Sequence, residues 1–300
     1  MKESGNSKIG VMLCGHGSRD IEAIREFNTL SSRLKERLTE YEVANGYLEF
    51  ARPVIRDGLE SLKERGVKRI ATIPGMLFAA GHVKNDLPWE VNTFAMENRE
   101  LEIRYGRDLG IDPKLLHAAA ERVAAAEQAA GSHVSRSQSM LLVVGRGTND
   151  PDANANISKV ARMLWEGMGF GWAETAYSGV AYPRVNRALE RIVTMGFRRI
   201  IVFPYFLFTG VLVKRIYTQT DEVATHYPNT EFVKALYLND HPMVLESFIE
   251  RVRTTLHGEV ATNCHLCKYR ERIIGYDNSV GSPQTGHHHH VRGICGDASQ

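Results

Sequence analysis

The chain is poor in cysteine, with four in 300 residues, and that excludes a secreted disulfide framework. It lacks a long hydrophobic run. The most apolar stretch, Ile200 to Val213, is broken by Pro204 and Gly210 and falls short of the ~20 residues a membrane span needs. It reads instead as a buried strand running into a loop. The first residues, Met1 to Ser7, are polar and carry no apolar core of signal-peptide length, so a cytoplasmic protein with reduced thiols and no membrane partner is expected. Charge of one sign is also missing. The formal net charge is +2, without the basic excess of a nucleic-acid binder. No G-x-x-x-x-G-K-[ST] motif is present, which argues against a P-loop. Gly15-x-Gly17 is followed by Asp20 where a dinucleotide fingerprint needs its third glycine.

Potential metal ligands are present, and they are unevenly placed. Cys264, Cys267 and Cys295, with His265 and the run His287 to His290, crowd the last 40 residues, a tail with no Phe or Trp. The remaining thiol, Cys14, lies in an apolar strand and reads as core.

An internal repeat organises the rest. Shifted by 130 residues, the sequence aligns with itself without a gap from residue 10 to residue 84. Gly15, Gly17 and Asp20 fall on Gly145, Gly147 and Asp150. Pro53 falls on Pro183, Gly66 on Gly196, Pro74 on Pro204, and Val83-Lys84 on Val213-Lys214. Roughly a quarter of the positions are identical, and chance gives about a third of that or less. Within the first copy, strands are expected at Ile9–Leu13, Tyr47–Phe50, Arg69–Ile73 and Leu101–Tyr105. Helices are expected from Asp20, over Val54–Arg65, and over Pro113–Ala130. This alternation predicts an α/β fold: two tandem parallel sheets flanked by helices and related by duplication. The expected divisions are residues 1–130, a linker at 131–139, a degenerate second half at 140–258, and the Cys/His-rich tail at 259–300. Two such domains facing each other would form a cleft, with ligands outside the carboxyl ends of the strands.

Duplication preserves scaffold in both copies, so a chemically useful residue kept in only one is informative. His16 corresponds to Arg146, Glu49 to Gly179, and His82 to Leu212. Two imidazoles and a carboxylate at three strand ends suit a divalent transition metal, or proton transfer near neutral pH. Arg19, Arg52, Arg56 and Lys84 lie near the same ends and together suit an anionic ligand. His117, His133, His226 and His241 have no partner visible in the sequence.

Three segments, Leu13-Cys14-Gly15-His16-Gly17-Ser18-Arg19, Leu48-Glu49-Phe50-Ala51-x-Pro53 and Phe78-Ala79-Ala80-Gly81-His82-Val83-Lys84-Asn85-Asp86-Leu87-Pro88, resemble the class II tetrapyrrole chelatases. Among these the sequence is most similar to the sirohydrochlorin cobaltochelatases of the long CbiX type. The resemblance spans residues 8 to about 258. It implies two four-stranded chelatase-like domains and ATP-independent insertion of Co(II), the substrate metal, into sirohydrochlorin in cobalamin biosynthesis. It also implies His16 and His82 as metal ligands or acceptors of pyrrole protons, assisted by Glu49. Arg19, Arg52 and Lys84 would meet the substrate's carboxylates. Met76, Leu77, Phe78 and Phe206 to Phe208 would offer apolar surface to the macrocycle, or else continue the core. Long chelatases carry a CxxC associated with an iron–sulfur cluster, here Cys264 and Cys267, with Thr262 where that form has Met; together with Cys295 these thiols could hold such a cluster or, with a histidine, a zinc ion. The histidine run could bind or deliver cobalt or nickel. A ferrochelatase for sirohaem, and a metal or tetrapyrrole carrier without turnover, are the alternative functions; a homodimer is the assembly considered.

Overall fold

A computed structural model describes residues 8–131 and 133–258. Cys264, Cys267, Cys295 and His287–His290 lie outside the described residues. Two four-stranded sheets are present. The first contains β1 (Ile9–Gly15), β2 (Glu42–Tyr47), β3 (Arg69–Pro74) and β4 (Glu102–Tyr105), and the second contains β5 (Ser139–Gly145), β6 (Trp172–Tyr177), β7 (Arg199–Pro204) and β8 (Glu231–Lys234). All pairings are parallel, in the orders β2-β1-β3-β4 and β6-β5-β7-β8. The repeat therefore has one topology twice. Among the described residues seven α-helices connect the strands and an eighth follows the last: α1 (Ile21–Arg37), α2 (Ile55–Glu64), α3 (Leu87–Glu97), α4 (Pro113–Ala130), α5 (Pro151–Met168), α6 (Val185–Val193), α7 (Val211–Ala224) and α8 (Pro242–His257).

Local chemistry sets the helix ends. Asp20, Asp112 and Asp150 each accept a hydrogen bond from the backbone N–H two residues on, capping α1, α4 and α5, a contact whose loss costs about 1 kcal/mol. Pro113 and Pro151 follow two of these caps, at a position where a missing N–H costs nothing. Gly131 and Gly169 close α4 and α5 in the left-handed conformation. The central strands are apolar on both faces: Val11 to Cys14 and Met140 to Val144 are fully buried, as parallel strands covered on two sides require.

Strand β2 differs from the expected Tyr47–Phe50. It runs over Glu42–Tyr47, in which Val43, Ala44 and Tyr47 are interrupted by Asn45 and Gly46, and Leu48 to Phe50 lie in the loop beyond it. An edge strand bonded on one side can be built from polar residues, so its hydrophobic pattern was weak. Glu49 is consequently a loop residue past a strand end.

The compact units are offset from the repeat. One comprises residues up to Gly110 and those from Leu245 onward, and the other runs from Ile111 to Val244. The boundaries at 130 and 140 follow the duplication, whereas packing assigns α4 to the second unit, against α5, β7 and β8. In the first unit α8 buries Phe248, Val252 and Leu256. Arg69 and Arg104 both donate to the Leu256 carbonyl, at 3.0 Å each. No helix among the described residues is long and apolar enough to cross a membrane.

Candidate active site

In the order β2-β1-β3 the chain leaves β1 on one side and returns on the other, so the switch point lies between the carboxyl ends of β1 and β3, where open α/β sheets bind ligands. His16 follows β1 directly, and His82 lies beyond β3. Glu49 joins them from the loop after β2. The ladder continues past the strands to place it: Leu48 N–H donates to Gly15 O at 2.9 Å and Glu49 N–H donates to His16 O at 3.0 Å. This crossing needs Gly17, with φ +91° and a position where any Cβ would lie 1.6 Å from the Glu49 carbonyl oxygen.

The three side chains meet. Their ligand atoms all lie within 4.8 Å of one another. His16 Nε2 is 3.0 Å from His82 Nε2 and 3.4 Å from Glu49 Oε1. Nitrogen and oxygen ligands about 2.1 Å from a shared ion sit roughly 3.0–3.4 Å apart at tetrahedral or octahedral angles, so these separations suit one cation. The outer ring atoms are also engaged. His16 Nδ1 lies 2.9 Å from Gly17 O, and His82 Nδ1 lies 2.7 Å from Asp86 Oδ2. A carbonyl and an ionised carboxylate only accept, so each ring turns its Nδ1–H outward and its Nε2 toward the shared point. All three residues are half-buried, open enough for exchange.

The segment bearing His82 is unusual. Residues His82–Asp86 form a π-helical turn that runs into α3, a geometry found mostly at functional sites. Leu87 N–H reaches back to His82 O, and the Tyr105 hydroxyl donates to Val83 O at 2.8 Å. Asp108 accepts from Ala79 N–H at 3.0 Å, which fixes the approach to the turn. Sequence reasoning gave Asp86 no role, although its signal was available: it lies four residues after His82 and becomes Ile216 in the second copy. Phe50 was also missed. It sits beside His16, ring centroids 6.5 Å apart, with φ 63°. This left-handed conformation is rare for a bulky side chain.

Arg19 is exposed with its guanidinium 4.8 Å above the Phe50 ring. Arg52 is exposed on the loop after β2, 4.0 Å from Asp57, and Lys84 is half-buried within the π-turn. Arg56 is directed away to Glu97 on α3. Met76 and Phe206 pack against the cores of their own units, which favours the core reading for both. Cys14 is fully buried, and burial pushes its thiol up to about 12, so it is inert at neutral pH.

The family model described as CbiX matches this chain twice, over residues 10–126 and 140–255. The chain belongs to the CbiX family. A sirohydrochlorin cobaltochelatase of Priestia megaterium is 33% identical over 271 residues, covering 90% of this chain and 87% of the relative. A sirohydrochlorin ferrochelatase of the same organism is 30% identical, covering 83% and 91%. Among solved structures, the sirohydrochlorin chelatase SirB from Bacillus subtilis subspecies spizizenii, in complex with cobalt, superposes with a TM-score of 0.69. It is 26% identical and the match covers 83% of this chain and 95% of that one. The second CbiX match has the repeat's backbone rungs, with Gly179 N–H donating to Arg146 O and Gly147 at φ +81°, but has Arg146, Gly179 and Leu212 in place of the three clustered side chains.

Two histidines without a sequence partner find one in the second unit. His117 Nε2 and His241 Nε2 lie 2.9 and 2.7 Å from the two oxygens of Glu121. His241 Nδ1 accepts from Met243 N–H at 3.2 Å. Neutral His241 therefore carries its proton on Nε2 and donates it to Glu121, which makes this a helix-capping link and not a ligand set. The His241 hydrogen bond, with the adjacent His117, holds the Glu121 carboxyl below its ordinary value. A carboxyl depressed on folding stabilises the fold above its unfolded value, and that stabilisation is lost as pH falls through the folded one. Glu121→Gln should therefore flatten the fall of Tm with acid below about pH 4.3. Superimposable melting profiles for the two proteins would remove the link's role.

Proposed function

We propose that this CbiX chain inserts a divalent metal, Co(II) in the first instance, into sirohydrochlorin without ATP. The convergence of His16, Glu49 and His82 on one point at the sheet's switch point carries this reading. Metallation exchanges two pyrrole N–H protons for one divalent cation. The site must therefore hold the cation loosely, and it must offer bases close to the ring. Imidazole nitrogens are borderline ligands for Co(II), Fe(II) and Ni(II), and a carboxylate beside them can accept a proton. In this reading His16, His82 and Glu49 hold the metal, and as it passes to the ring the freed imidazoles, assisted by Glu49, take up the two protons that the macrocycle releases. Arg19, Arg52 and Lys84 pair with the substrate's carboxylates.

The similarity to a ferrochelatase supports a second reading, insertion of Fe(II) toward sirohaem by the same residues. The ligand set separates these ions poorly, so a competition assay decides. The purified full-length protein is given sirohydrochlorin with equimolar Co(II), Fe(II) and Ni(II) under anaerobic conditions. The expected result is multiple turnovers without ATP and cobalt product in excess. Predominant iron product would establish the second reading, and one product per protein would indicate a carrier. For Cys264, Cys267 and Cys295 we propose an accessory role only, as ligands of an iron–sulfur cluster.

A further inference from the structure

We propose that Asp86 is a positioning residue for His82, fixing the tautomer and ring orientation that direct the Nε2 lone pair to the metal. The proposal rests on the reading of His82 as a metal ligand. The Asp86 side chain is 2% exposed, with Oδ2 2.7 Å from His82 Nδ1. Its Oδ1 accepts from the Asn85 side-chain amide at 2.7 Å. Because the carboxylate only accepts, the imidazole proton is held at Nδ1. Its negative charge also makes Nε2 a better donor, as carboxylates behind ligating histidines generally do. The π-turn secures the pair: His82 is the first residue of the turn and Asp86 the last, and the Tyr105 hydroxyl holds the Val83 carbonyl between them.

The duplication separates this role from a structural one. Burying a carboxylate costs several kcal/mol unless its partners compensate, so a fold that can dispense with one tends to lose it. In the second copy the positions of His82, Asn85 and Asp86 hold Leu212, Arg215 and Ile216. Ile216 is fully buried, and the segment is part of a regular α-helix beginning at Val211. The same scaffold thus closes with an apolar side chain at this site. The imidazole and the carboxylate are absent together, as expected if the second serves the first.

Co(II) binding to the full-length protein, followed by its visible absorption without the macrocycle, tests the proposal. Asp86→Asn should weaken Co(II) binding about 10–100-fold. In the His82→Ala background the same change should add little, because its effect passes through His82. Wild-type affinity in Asp86→Asn, or losses that multiply across the two variants, would overturn the proposal. If Asp86→Asn does not fold, the wild type still decides. Nitrogen-15 NMR of metal-free protein, well above the ordinary imidazole range, should show His82 protonated at Nδ1; a proton at Nε2 would refute the assignment. Neither experiment needs turnover. Coupled Co(II) loss in a protein that never metallates sirohydrochlorin would retain the positioning role and remove the chelatase reading, and intact insertion without coupling would do the reverse.

Discussion

Alanine at His82, and separately at His16, is expected to lower kcat/KM for metal insertion by about 10²–10⁴-fold, the range general base removal commonly produces. Each variant removes one of two Nε2 atoms 3.0 Å apart, leaving one imidazole and one carboxylate to hold the ion. The double variant should be little worse than either single one, because groups that act as a unit lose most of their effect with the first member. Leu212→Ala, at the position equivalent to His82 in the repeat, should leave Co(II) affinity of the free protein unchanged. Initial rates with Co(II) and sirohydrochlorin, read from the macrocycle's absorbance, are the measurement. Near wild-type rates in both single variants would sink the assignment of the site.

The second large effect is on stability. Gly17→Ala places a methyl group 1.6 Å from the Glu49 carbonyl oxygen and forces alanine to φ +91°. The conformation costs about 1–3 kcal/mol and the overpacking about 1–3 more. A loss of roughly 2–6 kcal/mol is large against a typical total of about 5–15. The damage should also reach the chemistry, since relieving the overlap moves Glu49 or His16 and breaks the rung between them. Gly147→Ala is the comparison. The new Cβ there would lie 2.9 Å from Ala181 N at φ +81°, a milder overlap far from any ligand in sequence. Denaturation midpoints and Co(II) titrations of both variants should show stability lowered in each, more so at Gly17, and metal affinity lost only at Gly17. Wild-type stability in Gly17→Ala would mean that this crossing is not as tight as described.

The candidate cluster was legible because the chain contains its own control. His16, Glu49 and His82 stand out against Arg146, Gly179 and Leu212 at a fixed offset, on a scaffold whose glycines and prolines are retained. Other features left no such mark. Strand β2 was misplaced because Glu42 to Gly46 has only Val43 and Ala44 as apolar residues, without alternation, and an edge strand owes its existence to a neighbour rather than to its own pattern. Asp86 was overlooked because four residues separate many helical pairs; its replacement by Ile216 in the repeat was the available signal, to which the coordinates add a buried carboxylate behind an imidazole. Glu121 and His241 are 120 residues apart, beyond any local pattern. The repeat's period likewise carries no information about which sheet a terminal helix covers.

That last feature bears on how the second copy, which lacks the three-residue cluster, is tied to the first. Its final helix, α8, supplies Phe248, Val252 and Leu256 to the unit that holds His16, Glu49 and His82, while α4 of the first copy is built into the other unit. Removing either copy would take from the other unit a helix that packs in it. The second copy thus carries Arg146, Gly179 and Leu212 in place of the three candidate side chains, while its last helix remains part of the first unit.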